Sequence, residues 1–72
     1  MELRHLGYFM AVAEEQNVSR AAKRLHVSQP PLSRQIRDLE TEMGISLFQR
    51  SAKSIRLTEA GQIFLSEARA AL

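Results

Sequence analysis

The sequence predicts a mainly α fold in which three helices lead into a short β-hairpin and a fourth helix follows. Three observations carry this prediction. Apolar residues recur at helical spacing in four separate stretches. Between the third and fourth, the pattern changes to two short strand-like segments joined by Ser51 to Ser54. The second and third helical stretches are separated only by His26-Val27-Ser28, which leaves room for nothing but a tight bend.

In the first stretch, Leu3, Leu6, Phe9, Met10 and Ala13 define an amphipathic helix from about Leu3 to Gln16. Gly7 lies inside it at a cost of about 1 kcal/mol against alanine. Tyr8 and Phe9 read as packing residues, because a base-stacking platform would need several aromatics interleaved with bases. Asn17 interrupts the pattern, and Ser19 offers an N-cap for a short helix from Arg20 to about Leu25. Its inner face is Ala21, Ala22 and Leu25, with Val18 ahead of it. Adjacent alanines let another helix approach closely, and Val27 would plug the space between the two.

Ser28 is placed to cap the third helix, and Pro30 and Pro31 suit a first turn, where a missing N–H loses no intrahelical bond. Leu32, Ile36, Leu39 and Met43 recur at i, i+4, i+7 and i+11, and Gly44 closes the helix in the left-handed region. At about 100° per residue, Pro30, Arg34 and Arg37 lie opposite that stripe, with Gln29 and Ser33 flanking it. Gln, Ser and Arg side chains can hydrogen-bond base edges or phosphates, and the start of such a helix is the part that enters the major groove. Short helix, three-residue turn and second helix with a polar outer face make a helix-turn-helix pattern.

Leu47 to Arg50 and Ile55 to Leu57 would then form a hairpin directly after the helix-turn-helix, in the position of a wing. Arg50, Lys53 and Arg56 are expected on its outer face and tip, toward a sugar-phosphate backbone or minor groove. Thr58 caps the last helix and Glu59 favours its positive N-terminal end. Ala60, Phe64, Ala68 and Leu72 form one apolar line, widened by Ile63, Leu65 and Ala71. A stripe that reaches the terminus suggests a helix packing on another chain or domain, with Phe64, Leu65, Ala68 and Leu72 as the dimerisation residues. The division expected is a winged helix-turn-helix over 1–57 and the start of a linker helix over 58–72.

The net charge is only +2, but the charges are segregated. The windows between Glu15 and Asp38 and between Glu42 and Glu59 hold eight of the ten Lys and Arg residues and no acid. Such a distribution creates local positive surface that the total conceals, which suits a polyanionic partner. The absence of cysteine removes disulfides and thiolate metal sites. The longest apolar run, Tyr8 to Ala13, is six residues, too short for a membrane span, and Met1 to Leu6 does not have the shape of a signal peptide. A soluble, cytoplasmic protein with no cofactor is expected.

Catalysis finds little support. His5 and His26 are the only histidines, and no nucleophile–base–orienter set, metal-ligand spacing or phosphate-cradling glycine loop is present. Glu40 and Glu42 fall on different helix faces and do not form a carboxylate pair. The competing reading is a protein-interaction module of the same winged fold, with the last helix as its main contact. The basic windows and the polar face of the third helix argue against that as the only role.

Leu6, Tyr8-Phe9, Ala11 to Glu14, Ser19, Ala21-Ala22, Leu25, Ser28 to Ile36, Leu39-Glu40, Gly44, Leu47-Phe48, Arg50, Leu57-Thr58 and Ala60-Gly61 form an ordered set across the whole chain. In that order they resemble the N-terminal DNA-binding domain of LysR-type transcriptional regulators. The Pro30-Pro31 pair and the opening Met1 to Leu6 resemble the branch that regulates catabolism of aromatic compounds. The resemblance implies a winged helix-turn-helix followed by a linker helix that dimerises in antiparallel fashion. It also implies dimers or tetramers on dyad-symmetric promoter DNA, and a separate effector-binding domain that these residues do not include. By matching positions, Gln29, Pro30, Ser33 and Arg34 would approach bases, and Ser28, Arg37 and Arg50 would hold phosphates. Pro31, where some relatives carry a small polar residue, could offer only van der Waals contact, for instance to a thymine methyl. Lys53 stands at the wing tip, where relatives often carry arginine.

Overall fold

The computed structural model describes residues 2–51 and 54–71, so the expectations for Lys53 and Leu72 lie outside the described residues. Its elements follow in the order α1 (Leu3–Glu15), α2 (Val18–Leu25), α3 (Gln29–Met43), β1 (Phe48–Arg50), β2 (Ile55–Leu57) and α4 (Glu59–Ala71). The architecture is therefore the mainly α winged helix-turn-helix with a trailing helix that the sequence predicts.

α1 buries Phe9, Ala11, Val12 and Ala13 and ends at Gln16, which takes a left-handed conformation at φ 53°. The start of α2 differs from expectation. Asn17, not Ser19, is the cap: its backbone is extended and its Oδ1 accepts the Arg20 N–H at 2.9 Å. Helix therefore begins at Val18, two residues earlier than predicted. The bend into α3 is made by His26 at φ 58°, with the His26 N–H reaching the Lys23 carbonyl and the Val27 N–H reaching that of Ala22. A histidine thus occupies the left-handed position that glycine usually takes.

α3 has the predicted bounds, but Ser28 does not cap through its side chain. A capping hydroxyl accepts from the second or third helical N–H. Those positions are Pro30 and Pro31, which carry no N–H, so the first turn relies on the prolines' fixed φ. Leu32, Ile36 and Leu39 are buried, and Gly44 closes the helix at φ 71°.

β1 and β2 pair antiparallel, with Phe48 opposite Leu57, Gln49 opposite Arg56 and Arg50 opposite Ile55. Strand alternation therefore puts Phe48, Arg50, Ile55 and Leu57 on one face and Gln49 and Arg56 on the other. Leu47 precedes the strand as a fully buried core residue. Its carbonyl accepts the Thr58 N–H at 3.0 Å, and Thr58 Oγ1 caps α4 by accepting the Gly61 N–H at 3.0 Å. Gly61 is buried in this junction; a Cβ there would collide with the Leu47 carbonyl oxygen.

The core gathers around α1, which packs on α2, α3 and α4 and reaches the hairpin through Phe9. The Phe9 ring stands 5.4 Å from that of Phe48 and packs edge-on to that of Phe64 at 4.9 Å. Leu65 and Ala68, expected at a dimer face, are instead buried within this chain at 9% and 3% exposure. They are unavailable to a partner in this conformation, and Phe64 is half-buried against the same core. Among the described residues of α4, the large apolar side chain left exposed is Ile63, at 58%.

Candidate nucleic-acid interface

The start of α3 projects from the domain because only one stripe of that helix is apolar. Ser28, Gln29, Pro30, Pro31, Arg34 and Arg37 are exposed, and Ser33 is half-buried beside Leu32. A shallow open groove runs from the start of α2 past the start of α3 to the hairpin. Asn17, Ser19, Gln29, Ser33, Arg50 and Ser54 line it. The structure thus brings Gln29 and Ser33 to one surface with Arg50.

Two contacts within this surface are not evident in the sequence. Ser19, freed from capping, hydrogen-bonds Gln29 across the bend, with its Oγ 2.7 Å from Gln29 Oε1. That contact engages the amide oxygen of Gln29 and leaves its N–H groups to donate. Arg50 lies on the inner face of the hairpin, which corrects its expected place on the outer face. Its Nη2 donates to Glu40 Oε1 at 3.2 Å. The other Glu40 oxygen accepts the Leu47 and Phe48 N–H groups at 2.8 and 3.1 Å. Ten residues separate Glu40 from Arg50, so helical periodicity alone could not pair them.

Two sets of arginines contrast. Arg34, Arg37 and Arg56 are exposed and make no ion pair among the described residues. Arg20, Arg24 and Arg69 are instead tied to acids at the end of α1. Arg24 reaches Glu14 at 2.8 Å and Glu15 at 3.3 Å, Arg20 reaches Glu15 at 3.6 Å, and Arg69 reaches Glu14 at 3.0 Å. The Arg24 guanidinium foremost, then that of Arg69, holds the Glu14 carboxyl below its ordinary pKa. Part of the basic composition is therefore neutralised locally, while α3 and the outer hairpin face keep cations with no ion pair among the described residues. Among the described residues, no group of three His, Cys, Asp or Glu side chains could hold a metal ion. Among the described residues, no helix is long and apolar enough to cross a membrane.

A helix-turn-helix with an adjacent two-stranded wing and a trailing helix defines this molecule as a winged helix-turn-helix module. The chain belongs to the family described as "Bacterial regulatory helix-turn-helix protein, lysR family", whose profile matches residues 3–62. It is 58% identical over 69 residues to the HTH-type transcriptional regulator TfdS of Cupriavidus pinatubonensis, covering 96% of this chain and 23% of TfdS. To the HTH-type transcriptional regulator AlsR of Bacillus subtilis it is 56% identical over 72 residues, covering all of this chain and 24% of AlsR. It thus spans about a quarter of the length of these relatives. Among solved structures, the CbnR DNA-binding domain in a DNA complex superposes with a TM-score of 0.95 at 55% identity, covering 99% of this chain and 82% of that one.

Proposed function

We propose that this chain binds double-stranded DNA sequence-specifically to regulate transcription, with α3 in the major groove and the wing on the backbone or minor groove. The observation that carries the proposal is the groove lined by the start of α3 and by Arg50, on a helix whose exposed Arg34 and Arg37 make no ion pair among the described residues. A comparable DNA-bound domain with the same fold supports it. Gln29, Pro30, Pro31, Ser33 and Arg34 read bases, the prolines by van der Waals contact. Ser28, with no cap bond to make, Arg37, Arg50, Lys53 and Arg56 serve the backbone.

A single copy presents too few hydrogen-bonding groups to specify a long site, so the chain works as a dimer on a dyad-symmetric promoter. The linker segment from residue 58 onward supplies the contact through exposed Ile63, with half-buried Ala60 and Phe64 beside it. In the longer proteins of this family, tetramers and response to a small-molecule effector would belong to regions beyond these residues. The setting is the bacterial cytoplasm.

Arg34→Ala provides the test. A good bidentate base contact is worth about 1–3 kcal/mol of discrimination. The variant should therefore lose preference for a duplex selected from a random pool over a scrambled one, while keeping most of its general affinity. Equal losses on both duplexes would remove Arg34 from the base readers.

A further inference from the structure

Glu40 sits in the last turn of α3, away from the exposed reading face, yet it holds three donors. One carboxylate oxygen accepts the N–H groups of Leu47 and Phe48, and the other accepts from Arg50 Nη2. Its side chain is 16% exposed and that of Arg50 34%. The pair is partly shielded from water, where a charge-assisted hydrogen bond is stronger than at an open surface. The Glu40 backbone carbonyl also accepts the Gly44 and Ile45 N–H groups that end α3. One residue thus fixes the helix end, the wing root and the wing's guanidinium.

We propose that Glu40 is a positioning residue for DNA binding: it aims Arg50 into the groove beside the start of α3 before any duplex arrives. Arginine presents five N–H donors in a rigid fork. The contact to Glu40 occupies one edge of that fork, and Arg50 also lines the groove shared with Gln29 and Ser33. An arginine already held there gives up less rotamer freedom when it meets a phosphate, so more of the contact energy appears as affinity. The inference rests on the DNA-binding reading above. It predicts the opposite sign from simple charge counting, in which removing a carboxylate beside a DNA-facing surface should tighten binding.

Glu40→Gln separates the two effects. Its amide oxygen can still accept from Leu47 and Phe48, while its NH2 group cannot accept from Arg50. Duplex binding would be measured by anisotropy across a salt series for Glu40→Gln, Arg50→Ala and the double variant, with thermal unfolding of each. Glu40→Gln should weaken binding about three- to tenfold, a typical coupling between touching charged groups. It should have no further effect in the Arg50→Ala background, whose salt slope is itself lower by about one. Tighter or unchanged binding by Glu40→Gln would overturn the proposal, as would an equal loss in the Arg50→Ala background, which marks a purely structural role. If the parent chain shows no salt-dependent duplex binding, the DNA-binding reading itself fails. Should Glu40→Gln not fold, nitrogen-15 relaxation of the Arg50 Nε–H in the unbound parent chain decides the matter. Order close to that of the backbone supports the proposal, and free mobility overturns it.

Discussion

Gly7 and Gly61 both lie within helices, and replacing each with alanine should move stability in opposite directions. Alanine is favoured over glycine by about 1 kcal/mol in a helix interior. At Gly7 a Cβ would meet nothing within 4 Å, so Gly7→Ala should gain about 0.5–1 kcal/mol. At Gly61 the same methyl would run into the Leu47 carbonyl oxygen and lie 2.9 Å from Leu57 Cδ2. A backbone oxygen cannot rotate away as a side chain can, so α4 must shift. That overpacking costs about 1–3 kcal/mol. Weakening the bond from the Thr58 N–H to Leu47 and leaving its groups poorly satisfied adds about 1–3 kcal/mol. After the helix-propensity gain, Gly61→Ala should lose about 1–5 kcal/mol, a large share of the ~4–11 kcal/mol expected for a domain of this length. Urea unfolding followed by far-ultraviolet circular dichroism compares both variants with the parent chain. A Gly61→Ala midpoint at or above the parent's would refute the close approach of α4 to the wing root.

His26→Gly should raise stability by about 0.5–1 kcal/mol, because it removes the penalty of an L side chain in the left-handed region; a lower thermal midpoint would contradict this. Glu14, whose folded pKa is depressed by Arg24 and Arg69, should contribute stability that is present above its unfolded pKa. That contribution should fade as pH falls through the depressed folded value. Unfolding between pH 7 and pH ~2.5 should therefore show a shallower acid loss in Glu14→Gln than in the parent, and parallel curves would argue against it. Ile63→Glu should leave the fold within about 0.5 kcal/mol of the parent, as exposed sites do, while weakening self-association in sedimentation. Unchanged association would take Ile63 out of the dimer face. Phe64→Glu is a poorer probe, since it would place a charge against Phe9 and unfold the domain.

How far the sequence reveals this molecule varies with the kind of signal. α3 is legible at both ends because the proline pair and Gly44 restrict the backbone directly. The start of α2 is not, because Asn17 and Ser19 are both competent caps and only the extended backbone at Asn17 distinguishes them. The phase of the hairpin is hidden by two adjacent apolar residues, Leu47 and Phe48. Strand alternation from either gives opposite faces to Arg50, and pairing with Ile55 settles the choice. In α4 both sides carry apolar residues. Periodicity therefore shows that a stripe exists, without showing that Leu65 and Ala68 turn inward while Ile63 turns outward. The ion pairs are the least legible feature: Arg69 meets Glu14 across 55 residues, a proximity that only the assembled fold creates.

The prolines that silence the Ser28 cap have a consequence for how such a domain can diversify. Because the first turn of α3 is set by ring geometry and anchored inward by Leu32, the exposed side chains of Gln29 and Arg34 carry little of the core. The vocabulary of the helix can then be rewritten while its grammar stays in place: one scaffold can acquire new target sequences by surface substitutions, without renegotiating its own folding each time.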